Sequence, residues 1–257
     1  MKLTRPFISV VIPAHNEEDS ISRCLRSLGN LNYPSERYEV IVVNNNSTDK
    51  TREVVSQDFP MVRLIDEPRQ GVVFARIRGA AEARGEIVAY TDADCTVPAG
   101  WLTRIAAAYA DPTVVAAGGT TSYQEWSLIS RYQLLSLWVH YRVYRLMTGY
   151  NMSFRTKAYR ACGGFNAQVD FGEDAYITQQ LKKVGRVVIL HGNAVTTSLR
   201  RQRSTDWLIY TIKAVLFYFS LLVLRRPLRL SLTSISEYRA LATPINKQRI
   251  NRLEDPS

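Results

Sequence analysis

Residues 86–95 read EIVAYTDADC: an apolar, β-rich run ends on two carboxylates, Asp92 and Asp94, with one alanine between them. Asp is a common turn residue, so the triplet alone fits a polar turn leaving a strand as well as it fits a metal site. The segments upstream decide between the two.

Residues 7–12 (FISVVI) form a continuous apolar run, and residues 19–28 (DSISRCLRSL) follow with Ile21, Leu25 and Leu28 at helical spacing. Residues 38–43 (YEVIVV) read as a second buried strand. Ser47 is expected to cap the next helix, with Asp49 in its first turn where the dipole favours an acid. Residues 62–65 read as a short strand, 71–84 as an alanine-rich helix, and 86–90 as the fourth strand. Strands alternating with helices at this spacing predict an α/β fold, a mostly parallel sheet with helices on its faces. Ligands of such sheets bind beyond the carboxyl ends of the strands. HNEE at 15–18, NNNSTD at 44–49 and TDADC at 91–95 all fall at those ends, and together they predict one cleft.

Past Gly118 the character changes. Residues 125–147 read as a long aromatic-rich helix on which Arg131, Trp138, Arg142 and Arg145 share a sector of roughly 60°. Two readings stay open: a core helix with one solvated edge, or a helix lying against lipid or a lipid-linked acceptor. The chain has no internal repeats, and the tail after Pro244 is polar.

The net charge is +10, and residues 200–257 hold eleven Lys and Arg against four Asp and Glu, about +7 of that total. A basic excess points to an anionic partner: nucleic acid, nucleotide phosphates or an acidic membrane face. Nucleic acid fits poorly, because the basic residues surround an apolar segment rather than a groove-reading helix or an aromatic sheet. The three cysteines, Cys24, Cys95 and Cys162, are far apart and form no CxxC pair, as expected of reduced thiols in the cytoplasm. The apolar run at the N-terminus is short and broken by Pro13, so it reads as a strand and not as a signal peptide.

In this order, SVVIPAHNEE, VIVVNNNSTDKT, GVVFARIRGAAEARGE, IVAYTDADC, NMSFRTKAYRACGGF and FGEDAYITQQL resemble the family 2 glycosyltransferases of the GT-A fold. The likeness covers roughly residues 7–200. It implies a Rossmann-like nucleotide-binding half (residues 1–117), an acceptor half (118–200), and inverting transfer from a nucleotide-sugar. By this resemblance Asp94 is the principal metal-binding carboxylate, and Asp92 contacts the ribose or the metal's waters. Mg2+ or Mn2+ is implied, since a hard cation bridging two phosphates takes carboxylate and water oxygens. Pro13, His15 and Glu17 match positions that line the base and ribose, with His15 in place of a frequent aromatic. The second loop opens on Asn44, Asn45 and Asn46 where relatives carry an acidic pair. This leaves the base open, because an amide both accepts and donates. Arg76 matches a base- or phosphate-side arginine.

Inversion requires a base for the acceptor hydroxyl. Asp174 matches that carboxylate, with Glu173 beside it orienting or binding the acceptor. Gly163 and Gly164 resemble the flexible turn upstream of this motif. Arg200, Arg201 and Arg203 match basic residues that contact the donor pyrophosphate. The Q-x-x-R-W spacing of the processive synthases is absent, which argues against a long polymerising mode.

Residues 207–224 form an 18-residue apolar run with one charge, Lys213. The length permits a short span. Lys213 and the arginines at both ends instead favour a helix lying on an anionic membrane surface. A true span and a buried core or oligomer helix remain alternatives. Residues 201–257 are therefore expected to be a membrane-associating helical region and tail.

The expectation is a peripheral or monotopic enzyme on the cytoplasmic face of the cell membrane. It would use a UDP-, GDP- or dTDP-sugar and a glycan or lipid-linked acceptor in envelope or capsule polysaccharide synthesis. Two rivals are a nucleotidyltransferase, which would release pyrophosphate, and a catalytically silent membrane-bound nucleotide-binding subunit, which would bind without turnover.

Overall fold

The computed structural model describes residues 5–124, 128–169 and 171–198. Arg200, Arg201, Arg203 and the apolar and basic segment from residue 201 onward lie outside the described residues, and so does the question of how 207–224 meets a membrane.

Seven strands make one sheet in the order β3-β2-β1-β4-β6-β5-β7. They are β1 (Ile8–Ala14), β2 (Tyr38–Asn44), β3 (Arg63–Asp66), β4 (Ile87–Tyr90), β5 (Val114–Tyr123), β6 (Met152–Arg155) and β7 (Arg186–Thr197). β1 to β4 run parallel, as predicted, while β6 runs antiparallel to both β4 and β5. β7 pairs parallel with β5, so the sheet is mixed but mostly parallel. The change of character noted at Gly118 falls inside β5.

The seven α-helices among the described residues are α1 (Ile21–Gly29), α2 (Thr51–Asp58), α3 (Val72–Glu82), α4 (Trp101–Ala108), α5 (Leu128–Arg142), α6 (Thr156–Ala161) and α7 (Glu173–Lys182). β1 is buried along its whole length, which explains why its sequence is a continuous apolar run. Alternate side chains serve opposite faces. Ile8, Val10 and Ile12 pack with Ile21, Leu25, Trp101 and Leu102 on one side. Val11 packs with Val73, Phe154, Ile177 and Leu181 on the other. α3 lies very close to β1, since a Cβ on Gly79 would fall 2.2 Å from Val11 Cγ1.

Two expectations are corrected. α2 begins at Thr51 with Lys50 at the capping position, so Ser47 is not its cap. The Ser47 hydroxyl instead accepts the Asn16 N–H at 3.1 Å, and Asp49 precedes the helix, where its carboxylate takes the Glu18 N–H at 3.1 Å as well as the Thr51 N–H at 2.9 Å. These polar side chains stitch the loop after β2 to the loop after β1. The long helix also ends earlier than predicted, at Arg142, and Arg145 adopts a left-handed φ of 48°. After the turn, Leu146 and Met147 are completely buried, in two different core clusters.

Among the described residues, no helix is long and apolar enough to cross a membrane.

Candidate active site

The strand ends bring the predicted loops together. In register, Ala14 pairs with Asn44, and Asn44 with Asp66. Pro13 sits inside β1 opposite Val43. His15 is exposed, and its Nδ1 lies 2.8 Å from the Asn45 carbonyl, so that nitrogen carries the proton and donates. The Glu17 N–H donates to Thr51 Oγ1 at 2.7 Å, and the Glu17 side chain turns into the protein, buried. Asn44 Nδ2 donates to Asp66 Oδ1 at 2.8 Å, while its Oδ1 accepts the Ser47 N–H at 3.3 Å. The neighbouring Asn45 is buried and takes up both ends of its amide. It donates to the Glu67 and Arg69 carbonyls at 2.9 and 2.6 Å and accepts the Gly71 N–H at 2.8 Å. Asn45 thereby fixes where α3 starts, and α3 carries Arg76.

Asp92 and Asp94 close a tight turn in which the Cys95 N–H bonds the Asp92 carbonyl at 3.0 Å. The opening stretch is therefore a turn at the end of β4 that carries both carboxylates. Asp94 is buried, with Ser198 Oγ donating to its Oδ2 at 3.2 Å. Asp92 is partly exposed, and Arg76 Nη2 donates to its Oδ1 at 3.3 Å. Arg76 is 3% exposed, and its guanidinium also donates through Nη1 to Glu173 Oε1. This ion-pair bridge joins the end of β4 to the start of α7. Nearby, burial pushes the Cys24 and Cys95 thiols up, with the Asp92 and Asp94 charges adding to the effect, so both stay protonated at neutral pH.

α7 opens directly on Glu173, after Gly172 in a left-handed conformation (φ 70°). Its two first-turn carboxylates face different surroundings. Glu173 is buried, and burial pushes its carboxyl up to about 7 against the pull of Arg76, with the Asp174 charge adding to the rise. Asp174 is half-buried. Its Oδ2 accepts the Gly149 N–H at 2.9 Å, and its Oδ1 accepts the Ala175 N–H at 2.7 Å. His140 is buried, and burial holds its imidazole below the usual range despite the nearby Asp174 charge.

Arg76, Asp92 and Glu173 are thus brought into direct contact, with Asp174 next along the helix. Asp94 is linked to the end of β7, and Pro13, His15, Glu17 and Asn44 line the adjoining loops. Sequence reasoning passed over Asp66, Gly149 and Ser198, and named Asn45 only as part of the Asn44–Asn46 run. Asp66 ends the third strand, so the strand-end rule applied there too would have found it. Gly149 and Ser198 act through contacts 25 and 104 residues away along the chain, and Asn45 through contacts 22 to 26 residues away, so none of the three carries a local pattern. Among the described residues, no group of three or more His, Cys, Asp or Glu side chains could hold a metal ion by itself. A two-carboxylate donor set with its remaining positions left to phosphate and water fits a hard Mg2+ or Mn2+ ion.

The sequence profile of glycosyl transferase family 2 matches residues 9–168. The chain belongs to that family, on a GT-A fold. It is 35% identical over 127 residues to glycosyltransferase AglE of Haloferax volcanii, across 48% of this chain and 42% of the relative. It is 34% identical over 85 residues to the dolichyl N-acetyl-alpha-D-glucosaminyl phosphate 3-beta-D-2,3-diacetamido-2,3-dideoxy-beta-D-glucuronosyltransferase of Methanococcus voltae, across 31% of this chain and 26% of the relative. The matches span less than half the length of either curated relative. In fold, the chain superposes on the mannosyltransferase PcManGT of Pyrobaculum calidifontis, solved with GDP-Man and Mn2+. The TM-score is 0.71 at 24% identity, over 89% of this chain and 67% of the other.

Proposed function

We propose that this chain moves a sugar from a nucleotide-diphosphate sugar to an acceptor hydroxyl with inversion at the anomeric carbon, the acceptor being lipid-linked. The observation that carries the reading is the Arg76 bridge, which sets the Asp92–Asp94 turn beside the Glu173–Asp174 helix start. Donor and acceptor chemistry then meet in one place.

The loops after β1 and β2 hold the nucleoside: the His15 ring is exposed for stacking, while the buried Pro13, Glu17 and Asn44 shape these loops from beneath. Asp66 is exposed beside Asn44 and offers a carboxylate to the base. A Mg2+ or Mn2+ ion, when bound, would be held by Asp94 with Asp92 and would offset charge on the diphosphate. Asp174 takes the proton as the acceptor O–H bond breaks. The acceptor oxygen bonds the anomeric carbon, and the electron pair of the cleaved C–O bond leaves with the diphosphate. Glu173 is turned inward to Arg76, so it supports the site from behind and does not contact the acceptor.

Two features support an acceptor with an apolar part. A groove of about 160 Å³ runs between α5 and the strands β5 and β7, walled by Leu134, Leu137, Trp138 and Tyr141 with Arg142 at its edge. The Methanococcus voltae relative carries a dolichyl phosphate in its name. The basic, apolar stretch after residue 200 supports attachment to an anionic membrane surface on the cytoplasmic face.

The test is a panel of UDP-, GDP- and dTDP-sugars with Mn2+ or Mg2+, in which released nucleoside diphosphate is measured. One nucleotide class should release its diphosphate in a metal-dependent way. Release of pyrophosphate, or no release from any donor by folded protein, contradicts the reading.

A further inference from the structure

Gly149 lies in the loop leading to β6, and its φ is not among the positive ones, so nothing in its backbone demands glycine. The demand is spatial. A Cβ at this position would fall 2.3 Å from Arg76 Nη2, 2.6 Å from Nη1 and 2.7 Å from Cζ. The guanidinium has little freedom to withdraw, because Glu173 and Asp92 hold its two terminal nitrogens. The Arg76 carbonyl is held as well, by the Tyr90 hydroxyl at 2.8 Å. The same Gly149 donates its N–H to Asp174 Oδ2 at 2.9 Å.

The loop around it is tied at both ends. The Met147 N–H donates to Thr178 Oγ1 on α7 at 3.2 Å, and Asn151 Nδ2 bonds the Thr120 and Asn193 carbonyls, each at 2.8 Å. Asn151 Oδ1 also accepts the Trp101 indole N–H at 3.0 Å.

We propose that Gly149 and Arg76 form a positioning pair: the bare glycine rests on the buried guanidinium, and this contact sets where its N–H presents the Asp174 carboxylate relative to Asp92. Arg76 then acts by fixing the spacing of the two carboxylate motifs. The inference rests on the reading of Asp174 as the base.

A side chain at 149 must lift the loop off the guanidinium and carry the N–H away from Asp174. Displacements near 1 Å at a reacting group lower turnover by about a hundredfold. With the guanidinium held in place by Glu173 and Asp92, the loop at 149 is what moves, so the loss belongs chiefly in kcat and not in the donor KM. The experiment measures both constants with UDP-glucose, UDP-N-acetylglucosamine, GDP-mannose and dTDP-glucose, plus Mn2+, for wild type, Gly149→Ala, Arg76→Lys and the double variant. Asp174→Asn serves as the control.

The expected result is a kcat loss of at least about tenfold in Gly149→Ala with the donor KM held within about threefold. In the Arg76→Lys background, where no planar fork lies under position 149, the same change should cost less, so the losses do not multiply. If Gly149→Ala does not fold, Arg76→Lys carries the test through kcat alone, which should fall at least about tenfold, because Arg76 also holds Asp92 and its donor KM is therefore not diagnostic. An unchanged kcat in a folded Gly149→Ala, an unchanged kcat in Arg76→Lys, or fully multiplicative losses would overturn the pair. If Asp174→Asn keeps its turnover, or wild type turns over no donor, the reading of the base itself has failed, and the inference falls with it.

Discussion

Glu173 and Asp174 are adjacent carboxylates with opposite surroundings, and the proposed function gives them different work on that ground. Glu173 is enclosed against Arg76, and its carboxyl is pushed up to about 7. Asp174 is half-buried and held by two backbone N–H groups. A carboxyl raised by folding favours its protonated form in the native state. Its contribution to stability is full below the ordinary value near 4.5 and is lost as pH rises from there towards 7. Removing the titration with Glu173→Gln should therefore change the difference in Tm between variant and wild type across that window. Parallel Tm curves between pH 4.5 and 7 would contradict the assignment. At Asp94 the expectation is different in kind. Asp94→Ala should abolish the Mn2+ dependence of nucleotide binding by calorimetry while leaving the fold intact, because its one described side-chain partner on another element is the Ser198 hydroxyl. Unaltered metal-dependent binding would remove Asp94 from the site.

At the scale of elements, the register of α3 on β1 decides where Arg76 points. Gly79 permits that approach, and Gly79→Ala forces a methyl to within 2.2 Å of Val11 Cγ1. Overpacking of this kind costs about 1–3 kcal/mol, measurable by denaturant unfolding. A stability change near zero would mean that the helix packs less tightly than described. Elements with a strong period were legible in the sequence: β1, β2, β4, α1 and α3 lie where apolar runs and helical spacing put them. α2 was misplaced at its start because Ser47 and Asp49, good capping residues by type, take the Asn16 and Glu18 N–H groups of the neighbouring loop. The end of α5 was misplaced because Leu146 and Met147 continue an apolar pattern after the chain has left the helix. The site was half legible. Carboxylates at strand ends declare themselves, but the Arg76–Glu173 pair spans 97 positions and belongs to packing. Gly149 looks like any loop glycine until the guanidinium beneath it is seen.

For the whole molecule, one mixed sheet carries the carboxylate-bearing loops on its β1–β4 part and the groove beside α5 at its β5–β7 part, the donor and acceptor ends of the proposed reaction. The basic excess is concentrated after residue 200. If that excess serves membrane attachment, the full chain should cosediment with vesicles containing anionic lipid, more weakly as salt rises, and weakly with neutral vesicles. Equal partition to neutral and anionic vesicles, or none to either, would contradict attachment by charge. The division of labour between donor and acceptor parts also sets the most direct test of the account. Nucleoside diphosphate release and nucleotide-dependent thermal stabilisation should be measured side by side, with Mn2+, on wild type and Asp174→Asn. The account predicts that Asp174→Asn keeps the stabilisation and loses turnover by about 10²–10⁴-fold, the usual worth of a general base. Turnover within about threefold of wild type in that variant would contradict it.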